Sequence, residues 1–173
     1  MICKNLKSKR NWLAVSLLII GLVGMVGCGS NSKKSKKLIE NYINKIYVIE
    51  NYKDMDIEKI NDLYPDDEYT KEIKAMMTDE SFEEFVVIHP DLTLKQWAID
   101  KHCNISIKDI KIEESFKKDD DTIVYNYTAV ATLKFADSGE EKEENIMGQV
   151  SINKISGDMK IVKPNLVDLE SFK

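Results

Sequence analysis

The sequence predicts an α+β fold in which several short helices are followed by four antiparallel strands. The first observation is a change of period. Apolar residues recur every three or four positions up to about residue 102 and every two positions beyond it. The second observation is that short turn sequences join the alternating segments, which favours an antiparallel meander. The helices are expected to lie on one side of the sheet, because each element must bury one apolar face.

The first helix is predicted from residue 36 to about residue 51, with Ser35 as its N-cap. One face of this helix carries Leu38, Ile39, Tyr42, Ile43, Ile46 and Tyr47. A second helix is expected to begin near Asp54 and to end at Pro65, because the residue before a proline is disfavoured in helical geometry. A third helix is expected from Asp67 to Met77.

Two further helix starts are predicted at threonines. Thr78 can cap a helix of one or two turns that ends near residue 86. Pro90 interrupts the chain after that helix. Thr93 can then cap a last helix, from residue 94 to about 102, whose inward face would carry Leu94, Trp97 and Ala98.

The strands are predicted from alternation. The alternating isoleucines of residues 105–112 change parity near Lys108 and Asp109, which a β-bulge explains. Residues 122–135 alternate throughout and predict a long strand that is bent or strongly twisted. Turns are expected at 137–139 and 156–158, and the acidic run 140–144 is expected at a hairpin tip. The strand after that run would carry Ile146, Gly148, Val150 and Ile152 on one face.

The N-terminus has the layout of an export signal. Four basic residues and no acidic residue occupy the first ten positions, and an apolar run follows from Trp12 to Val26. This run is about fifteen residues long, short of the roughly twenty that span a bilayer as a helix. The pattern therefore favours a cleaved signal over the alternative of a retained transmembrane anchor.

The end of the apolar run, Met25-Val26-Gly27-Cys28, resembles the lipobox of bacterial lipoproteins, with methionine where that family most often has leucine. The resemblance implies that diacylglycerol, with fatty acyl chains such as palmitate, is attached to the Cys28 thiol. It also implies cleavage before this residue. An ordinary signal peptide with a chance cysteine is the alternative. The predicted organisation is a signal peptide at 1–27, a flexible lipidated tether at 28–35 and a single α+β domain at 36–173.

Composition restricts the partners. Cleavage before Cys28 would leave 21 basic and 30 acidic residues, a net charge of −9, so nucleic acid is not an expected partner. Only Cys103 would remain as a free thiol, and no intrachain disulfide is expected. The expected partner is the membrane, through the lipid, and the expected location is the outer face of the cell membrane. The abundance of lysine, isoleucine and asparagine points to a low-GC, Gram-positive source.

The element order, with a long bent strand at 122–135, resembles the NTF2-like (cystatin-like) cone fold. The resemblance covers roughly residues 36–163 and implies a curved four-stranded antiparallel sheet that wraps around the N-terminal helix. Domains of this shape occur in small bacterial lipoproteins. They also occur in enzymes that place an acid or a His–Asp pair inside the cone, and in secretion and conjugation machines.

Residue patterns for catalysis or metal binding are weak. His102 and Cys103, with Asp100 nearby, suggest a nucleophile or a metal site, but adjacent side chains diverge on a helix. Zinc needs three or four nitrogen or sulfur ligands, and His89 is the only other histidine. The acidic runs 119–121 and 140–144 lack the interleaved pattern of a calcium loop. We therefore expect no catalytic residue, no metal and no cofactor.

The candidate pocket residues are aromatic. Tyr125 and Tyr127 point to the same sheet face, with Trp97 on a nearby helix, and they either line a pocket for a small apolar ligand or peptide or belong to the core. We expect a non-enzymatic binding domain for a protein or peptide partner. One alternative is a small cone-pocket enzyme with Asp100, His102 or Tyr125 as acid–base groups. The other is an assembly component of an envelope secretion or conjugation machine.

Overall fold

The computed structural model describes residues 26–55, 68–118, 120–164 and 172 of the chain. Its elements, in chain order, are the helices α1 (Val26–Tyr47), α2 (Glu68–Met76), α3 (Asp79–Ile88) and α4 (Pro90–Asp100), then the strands β1 (Cys103–Lys117), β2 (Ile123–Phe135), β3 (Glu141–Ile155) and β4 (Asp158–Lys163). A short 3₁₀-helix, Tyr52–Asp54, follows α1. The chain divides into two compact units, Met1–Ser35 and Lys36–Lys173, and the core described below belongs to the second.

Helix α1 buries one side of its C-terminal half, as the spacing of its apolar residues predicts. The buried residues are at most 2% exposed: Ile39, Tyr42, Ile43, Ile46 and Tyr47. The helix begins at Val26, so the predicted N-cap at Ser35 is wrong. The lysines around Ser35 are good helix formers, and serine is tolerated inside a helix. The helix ends at Tyr47 rather than near 51, because Ile49 exchanges backbone hydrogen bonds of 2.8 and 2.9 Å with Ile105.

Helix α2 confirms the helix predicted from Asp67 to Met77. The helix predicted between Asp54 and Pro65 lies almost wholly outside the described residues. Where the structure does describe that segment, residues 52–54 form the 3₁₀-helix, and Asn51 caps it by accepting a hydrogen bond of 3.2 Å from the Lys53 amide.

The two predicted threonine caps have different outcomes. Thr78 is the N-cap of α3, and its hydroxyl accepts a hydrogen bond of 3.2 Å from the Ser81 amide, which confirms the prediction. The cap at Thr93 is wrong, because α4 begins at Pro90 and the Thr93 hydroxyl donates to the His89 carbonyl from inside the helix. Proline suits the first helical position, where its missing N–H has no partner to lose.

The four strands form one antiparallel sheet in the order β1-β2-β3-β4, which confirms the predicted α+β class and the meander. The register of β1 against β2 shifts between Lys108 and Lys111, and again between Glu114 and Phe116. The first shift confirms the predicted bulge, and Asp109 adopts a positive φ of 54° there. Bulges bend a strand and increase its twist, so β1 is bent at two points.

Strand β2 supplies the centre of the core. Its residues of odd number are buried or partly buried, and they confirm the predicted alternation: Ile123, Tyr125, Tyr127, Ala129, Ala131, Leu133 and Phe135. From β3, Ile146, Val150 and Ile152 add to the same face as predicted. Leu94 and Ala98 of α4 are also fully buried in this cluster. The helices therefore cover one side of the sheet.

The turns of the sheet are placed as predicted, but one acidic run is not. Ser156 and Gly157 turn β3 into β4 with φ values of 51° and 95°, the left-handed backbone that a two-residue hairpin requires. The sequence places the run 140–144 at a hairpin tip. Instead Glu141–Glu144 lie within β3, paired with Ala131–Lys134 of β2. Lys134 of β2 pairs with Glu141, and Lys108 of β1 pairs with Glu143. These opposite charges on neighbouring strands offset the repulsion between the glutamates, so the acidic run can form part of a strand.

Candidate functional site

The aromatic residues that were candidates for a pocket lie in or against the core. Tyr125 and Tyr127 are at most 1% exposed. The Tyr127 hydroxyl lies 3.3 Å from the Tyr47 hydroxyl, so these two groups share a hydrogen bond. Trp97 is partly buried, and its ring centroid lies 5.4 Å from that of Phe172 with an angle of 56° between the ring planes. Their role in a ligand pocket stays a prediction.

One polar group on this buried face stands out. The Tyr125 hydroxyl is buried, and it has no hydrogen-bond partner among the described residues. An unpaired buried hydroxyl is costly, since the water that it loses on folding is not replaced. It lies on the core side of the sheet rather than on the surface.

A buried carboxylate was missed by the sequence reasoning. Asp91, in the first turn of α4, is 0% exposed. It accepts a hydrogen bond of 2.7 Å from the Tyr69 hydroxyl and one of 3.0 Å from the Lys95 ammonium group. The Lys95 nitrogen also lies 3.7 Å from the centroid of the Tyr69 ring, in cation–π geometry. Proline at the first helical position followed by an acid in the first turn is a signal for a helix start that could have placed Asp91 in a helix, but no local signal indicates its burial.

This carboxylate affects a neighbouring tyrosine. Burial raises the pKa of Tyr42 well above its ordinary value, and the nearby Tyr47 and Asp91 raise it further. The tyrosine therefore stays protonated at neutral pH in the folded protein. A protonated, buried phenol is suited to structural hydrogen bonding, not to proton transfer near neutral pH.

The residues considered as acid–base groups have different contacts in the structure. His102 Nδ1 lies 2.7 Å from Asp137 Oδ2, and the Tyr52 ring stacks on the imidazole with centroids 5.5 Å apart. Asp100 accepts a hydrogen bond from Gln96 one turn earlier. His102 directly precedes β1, and the first residue of this strand, Cys103, pairs with Phe135. Tyr125 lies ten residues from Phe135 along β2. At about 3.3 Å per residue this is about 33 Å, so His102 and Tyr125 belong to different regions.

The free thiol of Cys103 is buried, and the Asp120 carboxylate is bonded to the backbone of its own turn. Cys103 is buried, and burial raises the pKa of its thiol, so the reactive thiolate is disfavoured. The Asp120 carboxylate accepts a hydrogen bond of 3.1 Å from the Thr122 amide and has a lowered pKa, with hydrogen bonds from Thr122 as the main cause. Within the described residues, no three His, Cys, Asp or Glu side chains are grouped so that they could hold a metal ion.

The outer face of the sheet, away from the helices, is polar and largely exposed. Ion pairs and amide contacts cross its strands: Lys134 with Glu141 at 3.0 Å, Lys108 with Glu143, and Gln149 with Asn126 at 3.0 Å. Met147 lies among them with 72% of its surface exposed. It is a single apolar side chain on a polar face, which is common on protein surfaces and does not by itself form an apolar patch.

Two depressions lie along β1. One, of about 460 Å³, is at the first bulge and is lined by Asp109–Lys111, Thr128–Val130 and Asn145. The other, of about 350 Å³, is at the start of β1, where Ile49 pairs with Ile105. The bulge is predictable from the sequence but the depression is not, because its volume depends on the register of both strands.

Cys28 lies in the first turn of α1, and its lipidation stays a prediction. Residues 1–25 of the predicted signal peptide, 1–27, lie outside the described residues. Among the helices that the structure describes, none combines the length and the hydropathy that a bilayer-spanning helix needs.

Comparison with known proteins gives no family. No model of a protein family matches the chain, and no curated protein does. Among solved structures the chain is similar to a periplasmic fragment of TraM, with a TM-score of 0.46 and 10% identity over 78% of this chain and 95% of that chain. The chain is also similar to Aln2 from a Streptomyces species, with a TM-score of 0.40 and 12% identity over 79% of this chain and 88% of that chain. A third similar structure is the intermembrane space region of chloroplast protein ARC6, with a TM-score of 0.30 and 10% identity over 66% of this chain and 98% of that chain. At these scores the NTF2-like resemblance stays a prediction.

Proposed function

We propose that this chain is a lipoprotein held on the outer face of a cell membrane by lipid on Cys28, and that its α+β domain binds a protein or peptide. The observation that carries the proposal is the order of basic residues, apolar run and Cys28 at the N-terminus. Two acyl chains anchor a protein stably, since each buried methylene contributes about 0.8 kcal/mol.

The surface of the domain supports a binding role. Side chains fill the helix-facing side of the sheet, with Tyr125 and Tyr127 at its centre. A partner would therefore meet the outer face, where Met147 is exposed and the depression at the first bulge opens beside it on β1 and β2. A mixed polar surface with an apolar contact is the composition of ordinary protein interfaces.

Membrane attachment is tested in bacterial cells that express the full chain. Cys28→Ser removes the thiol, and we expect the chain to lose labelling by radioactive palmitate. Cys103→Ser is the matched control, because it removes the other thiol of the processed chain and leaves the lipidation residue. Equal palmitate labelling of the Cys28→Ser chain and the native chain would contradict the proposal.

Binding is tested in the same cells with a photo-crosslinking amino acid at position 147. Position 87 is the matched control, since Val87 is also apolar and 77% exposed but lies on α3. We expect a defined crosslinked product from position 147 and none of the same mass from position 87. The same product from both positions would show nonspecific contact and contradict a binding surface on the sheet.

A further inference from the structure

Among the residues that the structure describes, one edge of the sheet is open along a regular stretch of β3. Strand β4 pairs only with the last five residues of β3, Ser151–Ile155. Residues 141–149 pair with β2 on one side, without any shift of register. On the other side, no described strand pairs with residues 141–147. An open strand edge presents a row of unpaired N–H and C=O groups, which can accept another strand.

The alternation of the sheet identifies which residues form this row. The Phe135 amide donates to the Glu140 carbonyl at 3.0 Å, so the backbone groups of residues 142, 144 and 146 face β2. The intervening residues direct their backbone groups to the open side. These are Glu141, Glu143, Asn145 and Met147, named here the open row. Their side chains lie on the outer face, because their partners on β2 have even numbers.

The opposite edge of the sheet is protected. Strand β1 carries two shifts of register, and its backbone bends at each of them. Its first residues are also covered, since Ile105 exchanges hydrogen bonds with Ile49. Bulges and covered ends are devices that prevent strand addition. The corresponding stretch of β3 has no shift of register, and no segment among the described residues covers it, so the two edges differ in the described structure.

The side chains of the open row indicate the chemistry of an incoming strand. Its side chains on the outer face would stand opposite Glu141, Glu143, Asn145 and Met147 in turn. Opposite charges across neighbouring strands stabilise a sheet, so basic residues fit the two glutamates. Lys134 and Lys108 already contact these glutamates, but a carboxylate can accept several hydrogen bonds and can serve a second lysine. An apolar residue fits Met147.

We propose that the open row binds an extended basic segment of another protein by strand addition. The segment would carry two basic residues two positions apart and an apolar residue four positions beyond the second, in either chain direction. This inference names the partner class for the binding role proposed above and rests on it. Backbone hydrogen bonds would supply affinity and the alternate side chains specificity.

Other occupants fit the charges less well. Residues 56–67 and 165–171 of this chain together carry seven acidic residues and one basic residue, so they would be repelled by the glutamates of the open row. A second copy of the processed chain is also acidic, with 21 basic and 30 acidic residues and a net charge of −9. The basic residues 4–10 belong to the signal that the proposed processing removes.

The test is amide exchange, measured by NMR on the full chain in detergent micelles. The probe is a capped peptide, Lys-Thr-Lys-Val-Thr-Val-Val-Thr, used together with its reversed sequence. The backbone amides of the open row should exchange with solvent more slowly when peptide is bound, because only the peptide-free protein exposes them. When nine-tenths of the protein is bound, the expected slowing is about tenfold. The alternate amides, at 142, 144 and 146, are already bonded to β2 and should change little. The Ile107 amide on the opposite edge should not change.

Two variants and a control peptide make the result specific. Asn145→Pro removes an N–H that no described strand uses, and an edge strand tolerates proline there, so at least a tenfold loss of affinity is expected with the fold intact. Asn145→Ala keeps the N–H and should bind normally. The double variant Glu141→Lys with Glu143→Lys should prefer the same peptide with glutamates in place of lysines.

Three results would overturn the inference: peptide protection elsewhere than the open row, slow exchange of the open row before peptide is added, or equal binding of the acidic and basic peptides. Each is separable from a failure of the proposed function. The peptide experiment does not depend on acylation, and palmitate labelling does not depend on the sheet edge.

Discussion

Replacing the buried carboxylate of α4, Asp91→Asn, is expected to destabilise the fold strongly. Asp91 is 0% exposed, and the ammonium group that it pairs with, on Lys95, belongs to a side chain only 19% exposed. The substitution keeps the size of the side chain and removes its charge. The Tyr69 hydroxyl can still donate to the amide oxygen, so the loss falls mainly on the contact with Lys95.

The magnitude follows from burial. Removing one partner of a buried ion pair costs about 3–5 kcal/mol, because the remaining charge has lost its water and its partner. The Lys95 side chain is 19% exposed, so water still stabilises part of its charge, and we take the lower end of this range. The charge also lies in the first turn of a helix, where an acid contributes about 0.3–1 kcal/mol. We expect the free energy of unfolding to fall by about 3 kcal/mol.

The assay is urea unfolding of the full chain in detergent, followed by circular dichroism. Asp79→Asn is the matched control, since Asp79 is also an acid in the first turn of a helix but its side chain is 91% exposed. That variant should lose about 0.5 kcal/mol or less. Lys95→Met completes a double-mutant cycle with Asp91→Asn, and we expect a coupling energy above about 1 kcal/mol. Equal effects of Asp91→Asn and Asp79→Asn would refute the reasoning.

Three further predictions concern groups in other elements. Thr78→Ala removes the cap of α3 and should lower the free energy of unfolding by about 1 kcal/mol, measured by the same urea titration. Because burial raises the pKa of Tyr42, this residue ionises above pH 10 in the unfolded chain but not in the folded one. The contribution of Tyr42 to stability is therefore constant below pH 10 and should be lost progressively above it, by up to about 1.4 kcal/mol per pH unit, and Tyr42→Phe should reduce that slope. Cys103 is buried with a raised thiol pKa, so a maleimide should label it at least tenfold faster in urea than in the native protein, and equal rates would contradict its burial.

The sheet was predictable because its signals are local. Alternation in β2 determines which residues face the core, and the change of parity at Lys108 and Asp109 locates the bulge. A turn such as Ser156-Gly157 needs positive φ, which glycine supplies freely. Each of these inferences depends on neighbours in sequence, and the fold does not override them.

The wrong predictions come from competition between neighbouring signals. Thr93 and Pro90 both suit a helix start, and the structure uses the proline. Ser35 suits a cap, but the lysines before it continue the helix. The run after the turn at 137–139 suits a loop by charge, and pairing with lysines of β1 and β2 makes it part of a strand. A single sequence does not reveal which of two local signals prevails.

The candidate sites depend on contacts between distant residues, so fewer of them could be predicted from the sequence. The burial of Asp91 needs Tyr69, 22 positions earlier, and the contact of His102 with Asp137 spans 35 positions. The open row of β3 follows from the short length of β4, which no residue of β3 encodes. Only Cys28 could be proposed as a functional residue from its own neighbours in sequence.

The mass of the N-terminal peptide tests the lipoprotein proposal most directly. The full chain would be expressed in bacteria, extracted from the membrane fraction and digested with a protease. We predict a first peptide that begins at Cys28 and carries the mass of a diacylglyceryl group on its thiol. An N-terminal peptide that begins before Cys28, or a Cys28 peptide with an unmodified thiol, would contradict the proposal.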